Sequence, residues 1–283
     1  MLSDIFSIAM LMSTIRMAIP LIFGAVGGTI CERSGIVNLG IEGMMLSGAF
    51  GAVAGTHLTG NPWIGVLVAL GVGGIFGFIH ALLCVKFKTN QSVSGIGINI
   101  FAGGLTVVLT RAIWNTDGLS GRVAKLPQAP YMVFTVAVVL IAWFVLYRTK
   151  VGLRLRAIGD HPQAAASVGI HVSRYRYAAV TVCGMLCGMG GAYLSIVQNT
   201  MFVQDMTAGR GYMALAAMIF GGWNPLGAAL GSLIFAFAQA IRIQVELPIP
   251  DQILQMLPYV ITLAALVIAG RGRRGPEASG VVE

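Results

Sequence analysis

Residues 17–55 read MAIPLIFGAVGGTIC, then ERSGIVNLGIEGMM, then LSGAFGAVAG. Two apolar runs flank a central stretch, 32–45, that carries Glu32, Arg33, Asn38 and Glu42. A helix needs roughly 20 apolar residues to cross the hydrocarbon of a bilayer, and the flanking runs belong to candidate spans at about 5–30 and 38–55. Ionisable groups between such runs are costly within a membrane, which makes them functional candidates. Glu32 and Arg33 read equally well as an interfacial pair at a helix end. Glu42, deeper in the apolar pattern, reads as a functional group or a structural hydrogen-bonder.

The pattern repeats along the chain. Of 283 residues, 57% are hydrophobic and only 10% are charged, where a soluble domain carries about a quarter charged residues. Candidate spans fall at about 5–30, 38–55, 62–85, 93–114, 131–147, 178–197, 209–222, 225–243 and 253–270. The expectation is an all-α, polytopic transmembrane bundle of about nine spans, forming a single transmembrane domain over 1–283. Asp4, Arg16 and Pro20 disturb the first span, which leaves open an interfacial helix followed by a short inner one. The segment 209–222 is too short for a full crossing and ends in Gly221-Gly222 before Asn224-Pro225, as a broken or re-entrant helix would.

The formal net charge of +8 is concentrated in a few loops and sets orientation; it does not indicate nucleic-acid binding. Lys86 and Lys88 follow the third span, six basic residues from Arg148 to Arg176 crowd the next long loop, and Arg271, Arg273 and Arg274 follow the last. The positive-inside rule places all three sets, and the C-terminus, in the cytoplasm. Gly43-Met44-Met45-Leu46 leads to Asn61-Pro62 and a glycine-rich helix, and Gly211-Tyr212-Met213-Ala214-Leu215 leads likewise to Asn224-Pro225. With that topology the two helices run in opposite directions, the pattern of an inverted repeat with halves at about 1–114 and 178–270. Glycines such as Gly71, Gly73, Gly74 and Gly77 allow close helix approach.

No Gly-x-x-x-x-Gly-Lys-Ser/Thr loop is present, so no phosphate cradle is expected in this chain and ATP falls to a partner. The four histidines are scattered, and Cys31, Cys84, Cys183 and Cys187 read as packed, reduced thiols. No catalytic or metal-ligating constellation can be assembled, so an enzyme is not expected. Between Lys150 and Arg174, residues 161–168 suggest a short helix capped by Asp160, with Pro162 early and Gly169 ending it. Its small Ala164, Ala165 and Ala166 would let a partner's groove close over it.

The stretch 32–44 resembles the membrane subunits of nucleoside ABC importers, within the wider branched-chain amino acid, ribose and simple-sugar permease family, whose members carry E-R-x-G-x-x-N-L-G-x-E-G-M there. Ribose-type members carry a differently worded segment with glycine and aspartate. Residues 156–170 resemble the family's cytoplasmic coupling helix, with its A-A-x-x-x-G-I core, and 209–225 supply a third likeness. Together they cover about 17–243.

The resemblance implies an importer in the bacterial inner membrane. Two ATPase subunits would sit below, hydrolysing ATP, with a related, longer permease alongside and a substrate-binding lipoprotein or periplasmic protein above. It implies ATPase coupling through Gly159, Asp160, Pro162, Ala164, Ala165, Gly169 and Ile170. Polar groups near the spans, Asn38, Glu42, Gln91, Ser94 and Asn99, are candidates to line the path. Trp223 is a candidate to stack on a base or to anchor at the interface. A simple-sugar permease and an ion-coupled secondary transporter are the alternatives.

Overall fold

The computed structural model describes residues 7–244, 260 and 275–280. Helix α1 (Ile8–Glu32) is followed by α2 (Ile41–Thr59), α3 (Pro62–Ala81, continued by a π-turn at Leu82–Lys86), α4 (Gln91–Trp114) and α5 (Gln128–Arg148). Then come α6 (Lys150–Asp160), α7 (Pro162–Ser167), α8 (Val172–Ala192, continued by a π-turn at Tyr193–Gln198), α9 (Arg210–Phe220) and α10 (Pro225–Gln244). Helices α1, α3, α4, α5 and α8, with their π-turns, are long and apolar enough to cross a membrane. The expected span 253–270 and the arginines at 271, 273 and 274 lie outside the described residues.

Several ends follow from local chemistry. The Asn61 side chain accepts the Trp63 N–H, with Pro62 at the first turn of α3, and Asn90 caps α4 by accepting the Ser92 and Val93 N–H groups. The first span forms as one continuous 25-residue helix through Pro20, and the alternative left open for it does not, because Pro20 and its neighbours are buried against other helices whose packing outweighs the lost hydrogen bond. One expectation is corrected. Asp160 does not cap the coupling helix. It is the last residue of α6, itself an unexpected helix, and His161 occupies the junction without a side-chain cap.

Helix α2 runs through the middle of the bundle and is buried along nearly its whole length. Around it α3 packs on α8 and α10 packs on α1. The α3–α8 contact is a seam of small residues, Ala69, Gly73 and Gly77 facing Val180, Gly184 and Gly188. A Cβ on Gly77 would lie 2.6 Å from the Val180 carbonyl oxygen, so the backbones touch directly. Between apolar helices in lipid such contact supplies the packing energy that the hydrophobic effect supplies in water. Gly71, by contrast, faces open space.

At the end of the bundle opposite α6, the segments after α4 and α8 lie along each other. The Ser120 N–H donates to the Phe202 carbonyl (3.0 Å), the Val123 N–H to Thr200 (2.8 Å) and the Leu126 N–H to Ile196 (2.9 Å). Residues 275–280 return to the α6 end: the Ala278 N–H donates to the Gly159 carbonyl at 3.0 Å, and Glu277 lies 3.6 Å from His161.

Candidate translocation and coupling sites

Between α1 and α2 the chain leaves helical geometry for residues 33–40. Every backbone group freed there needs a partner, because hydrocarbon offers none. Carbonyls of α1 take the first three N–H groups, and polar side chains, some of them singled out from the sequence, supply further partners. The Val37 N–H donates to Gln91 Oε1 (2.6 Å), and His80 Nε2 lies 3.2 Å from the Val37 carbonyl. Asn99 donates to the Leu39 carbonyl (2.9 Å) and accepts from the Gly43 N–H (2.8 Å). The Asn38 side chain accepts its own loop's Gly40 N–H (2.9 Å), and Arg176 Nε donates to the Ser34 carbonyl (3.3 Å). Ser94 contributes indirectly, its hydroxyl 2.9 Å from His80 Nδ1.

This network divides the candidates. Asn38, Gln91 and Ser94 are buried, with their polar atoms directed into the fold. Asn99 and Glu42 are half-buried, and Asn99 also donates to the hydroxyl of Tyr212 (2.8 Å), which is 48% exposed. A polar edge made of Glu42, Asn99 and Tyr212 therefore reaches the surface beside the α4 face that carries Ile96 and Ile100.

Glu42 is a helix cap supplied from a distance. Its two carboxylate oxygens accept the N–H groups of Gly209 (2.8 Å) and Gly211 (2.5 Å), where α9 begins. A helix start presents unpaired N–H groups and a partial positive charge, so a carboxylate is suited to hold it in an apolar setting. Gly211 permits the approach: a Cβ there would lie 2.5 Å from the Glu42 backbone nitrogen.

The other end of α9 is held by Glu32 and Arg33. Gly222 and Trp223 both take left-handed backbone conformations (φ 68° and 52°). Arg33 Nε donates to the Trp223 carbonyl (2.9 Å), and the Trp223 indole N–H donates to Glu32 Oε2 (2.5 Å). The half-helix α9, 11 residues or about 16 Å at 1.5 Å per residue, is thus pinned at both ends by carboxylates from the first two helices. Glu32 and Arg33 grip a second broken element instead of each other. Trp223 spends its one donor on Glu32 and rests on Gly275.

On the face bearing α6 and α7, the expected coupling residues form two sets. His161, Gln163, Ala164, Ala166 and Ser167 are exposed, and Gly169 ends α7 in a left-handed conformation (φ 82°). Pro162 and Ala165 are buried, half-buried Ile170 donates its N–H to the Ala165 carbonyl (3.1 Å), and Asp160 is exposed. Gly159 is buried against the Arg33 carbonyl. The end of α6, just before α7, therefore touches the residues that hold α9. Sequence reasoning left out His80, Arg176, Tyr212 and the returning segment 275–280; their partners lie tens of residues away or more, and spacing carries no trace of such pairs.

With this geometry in hand, comparison with known proteins is informative. A family model described as the branched-chain amino acid transport system permease component matches residues 10–268. The chain is 35% identical to the guanosine ABC transporter permease protein NupQ of Bacillus subtilis (strain 168), over 95% of this chain and 94% of that protein. It is 37% identical to the nucleoside ABC transporter permease protein NupC of Lactococcus lactis subsp. cremoris (strain MG1363), over 93% and 92%. A solved ABC transporter described as metal-chelate type, in an inward-facing conformation, shares the fold: TM-score 0.51 at 15% identity, covering 91% of this chain and 85% of that one.

A helical membrane bundle with broken, polar-clamped helices and this set of relatives is a membrane transport component of the ABC class. The chain belongs to the branched-chain amino acid transport system permease family. Permeases of this class act with ATPase and substrate-binding partners.

Proposed function

We propose that this chain moves nucleosides across the bacterial inner membrane as one permease subunit of an ATP-driven importer. The observation that carries this reading is the likeness, over nearly the whole chain, to a guanosine and a nucleoside permease at 35% and 37% identity. The polar edge of Glu42, Asn99 and Tyr212 suits a neutral cargo with several hydroxyl and amide groups, since it offers hydrogen bonds without an unpaired charge. Asn38, Gln91, Ser94 and Trp223 contribute by holding the two breaks that shape the path.

In this reading a second, related and longer permease completes a pseudo-symmetric dimer. Two ATPases bind α7 from the cytoplasm and hydrolyse ATP, and a lipoprotein or periplasmic binding protein delivers cargo from outside. The C-terminus is cytoplasmic, as the basic loops suggest. The halves 1–114 and 178–270 are inverted copies that exchange α1 with α8, α2 with α9 and α3 with α10. Supporting this, the exchange turns the α3–α8 contact into α10–α1, α2–α3 into α9–α10, and α2–α8 into α9–α1, all of them contacts the bundle makes.

The test is uptake of labelled guanosine, adenosine, uridine and ribose by cells expressing the full set of subunits. Nucleoside uptake that the other nucleosides compete and ribose does not is the expected result. Ribose uptake that nucleosides fail to compete overturns the cargo in favour of a simple sugar. Uptake that persists with inactive ATPases overturns the ATP-driven reading in favour of ion coupling.

A further inference from the structure

Helix α6 turns back sharply beneath α5. Thr149 caps it, accepting the Gly152 N–H at 3.3 Å, and Gly152 packs against the carbonyls of Val145 and Leu146, where any side chain would collide. On α6 Gly152, Leu155, Ile158 and Gly159 are buried, at three- and four-residue steps, so the helix lies with one side inward. Above this corner, α5 and α8 both rest on α1 and leave a groove between them of about 350 Å³. Val138, Ile141, Ala142, Ala178 and Val182 form its walls, and Leu155 and Gly152 close its base. The lining is almost wholly carbon, and Ile141 is 61% exposed along it.

The mouth of the groove has the opposite character. Arg148 ends α5 with its guanidinium 5.6 Å from the centre of the Trp143 ring. Lys150 opens α6, and one turn on Arg154 donates to the hydroxyl of Tyr175, a groove residue, at 3.2 Å. All three cations are exposed, and no carboxylate lines the groove. An apolar slot between two membrane-spanning helices, ending at a cationic rim at the membrane surface, has the two-part chemistry of one molecule: an acyl chain with a negatively charged headgroup. We propose that this groove binds one acyl chain of an anionic phospholipid from the leaflet beside α6, with its phosphate at Arg148, Lys150 and Arg154. The ligand would seat the corner from which α6 leads into the coupling helix α7.

The experiment is native mass spectrometry of the purified permease complex. It is delipidated and titrated with phosphatidylglycerol or phosphatidylcholine of identical acyl chains. The expected result is a tightly retained phosphatidylglycerol on this chain, with phosphatidylcholine at least tenfold weaker. Arg148→Gln and Arg154→Gln each reduce phosphatidylglycerol affinity about fivefold and leave phosphatidylcholine unchanged. Ala178→Phe, which fills the groove from an exposed wall position, abolishes retention of both. Equal affinity for the two lipids overturns the headgroup assignment and the proposal with it. Unchanged retention in an assembled Ala178→Phe complex overturns the groove, and if that variant does not assemble, the two arginine variants decide. Cross-linking of an Ile141→Cys variant to a partner protein in the native membrane makes the groove a protein interface and also overturns the proposal.

Discussion

The break at 33–40 closes on α1 only at its start, where the N–H groups of Arg33, Ser34 and Gly35 return to the carbonyls of Thr29, Cys31 and Glu32, and side chains from α3, α4 and α8 hold the rest, whereas in the turn at 221–224 the backbone largely holds itself. There the N–H groups of Gly221, Gly222 and Trp223 return to carbonyls of α9 at 2.8, 3.0 and 3.2 Å, the closing pattern of a helix end. Among the described residues, side-chain hydrogen bonds from outside come from Glu32 and Arg33. The first break is deeply buried and is held by several separate elements at once; the second is half-buried and hangs on one pair of residues. A segment held by many partners is rigid, and a half-helix tied at each end by one or two side chains has fewer contacts to break before it shifts as a unit. The difference assigns the first break to the scaffold and the half-helix α9 to the working part. That assignment predicts stability losses at the first break and transport losses at the second.

The largest effect on stability should come from Asn99→Leu. It removes the partners of the Leu39 carbonyl and the Gly43 N–H together, and an orphaned buried backbone group costs about 1–3 kcal/mol. Low yield and a strongly lowered thermal midpoint of the purified complex are expected. A midpoint within a degree or two of wild type would remove the first break from the scaffold. Next comes Glu42→Leu, which uncaps α9 at Gly209 and Gly211. Losing a helix N-cap costs about 0.5–2 kcal/mol, so this effect is smaller. Glu42→Gln keeps one acceptor and should lose about half as much, with uptake reduced but measurable. Equal behaviour of the two variants would mean that the cap does not position α9.

How far the sequence revealed this design depends on the range of each contact. Among the described residues, the apolar runs and the short 209–222 segment depend on neighbours a few residues away, and their helices formed where the pattern placed them. Glu42 could be singled out as a carboxylate too deep to be filler. Its role could not be read, because its partners lie 167 and 169 residues along the chain. Trp223 looked like a stacking or interfacial group for the same reason: nothing local indicates that its indole N–H is committed to Glu32. Pro20 misled in the other direction, since its local cost was visible and the burial that offsets it was not.

Trp223→Phe tests the point of attachment itself. The ring can still rest on Gly275, while the donor to Glu32 is gone. The loss in stability should be modest, about 1–2 kcal/mol, because the turn closes on its own backbone. Uptake should fall by more than this stability loss explains, measured as initial rate per folded complex. A fall in uptake that merely tracks the amount of folded protein would make the second break as structural as the first and erase the contrast between them.

The smallest effect on the chain's own stability should come from Ala164→Glu, and it gives the cleanest separation of folding from coupling. Ala164 is exposed on α7 whereas Ala165, one residue on, is only 4% exposed. Exposed substitutions away from special backbone positions usually change stability by less than about 0.5 kcal/mol, so Ala164→Glu should leave the permease inserted with an unchanged midpoint. At an interface the same carboxylate would be buried without a partner, at several kcal/mol, enough to weaken ATPase binding by roughly a hundredfold or more. Ala165→Glu should instead force a charge into the packing beneath α7 and destabilise the permease before any partner arrives. Co-purification of the ATPases together with thermal midpoints of both variants reads the two effects separately. Normal ATPase recovery and normal uptake with Ala164→Glu would show that α7 is not the docking element, and the link from α7 through Gly159 and Arg33 to α9 would then carry no coupling.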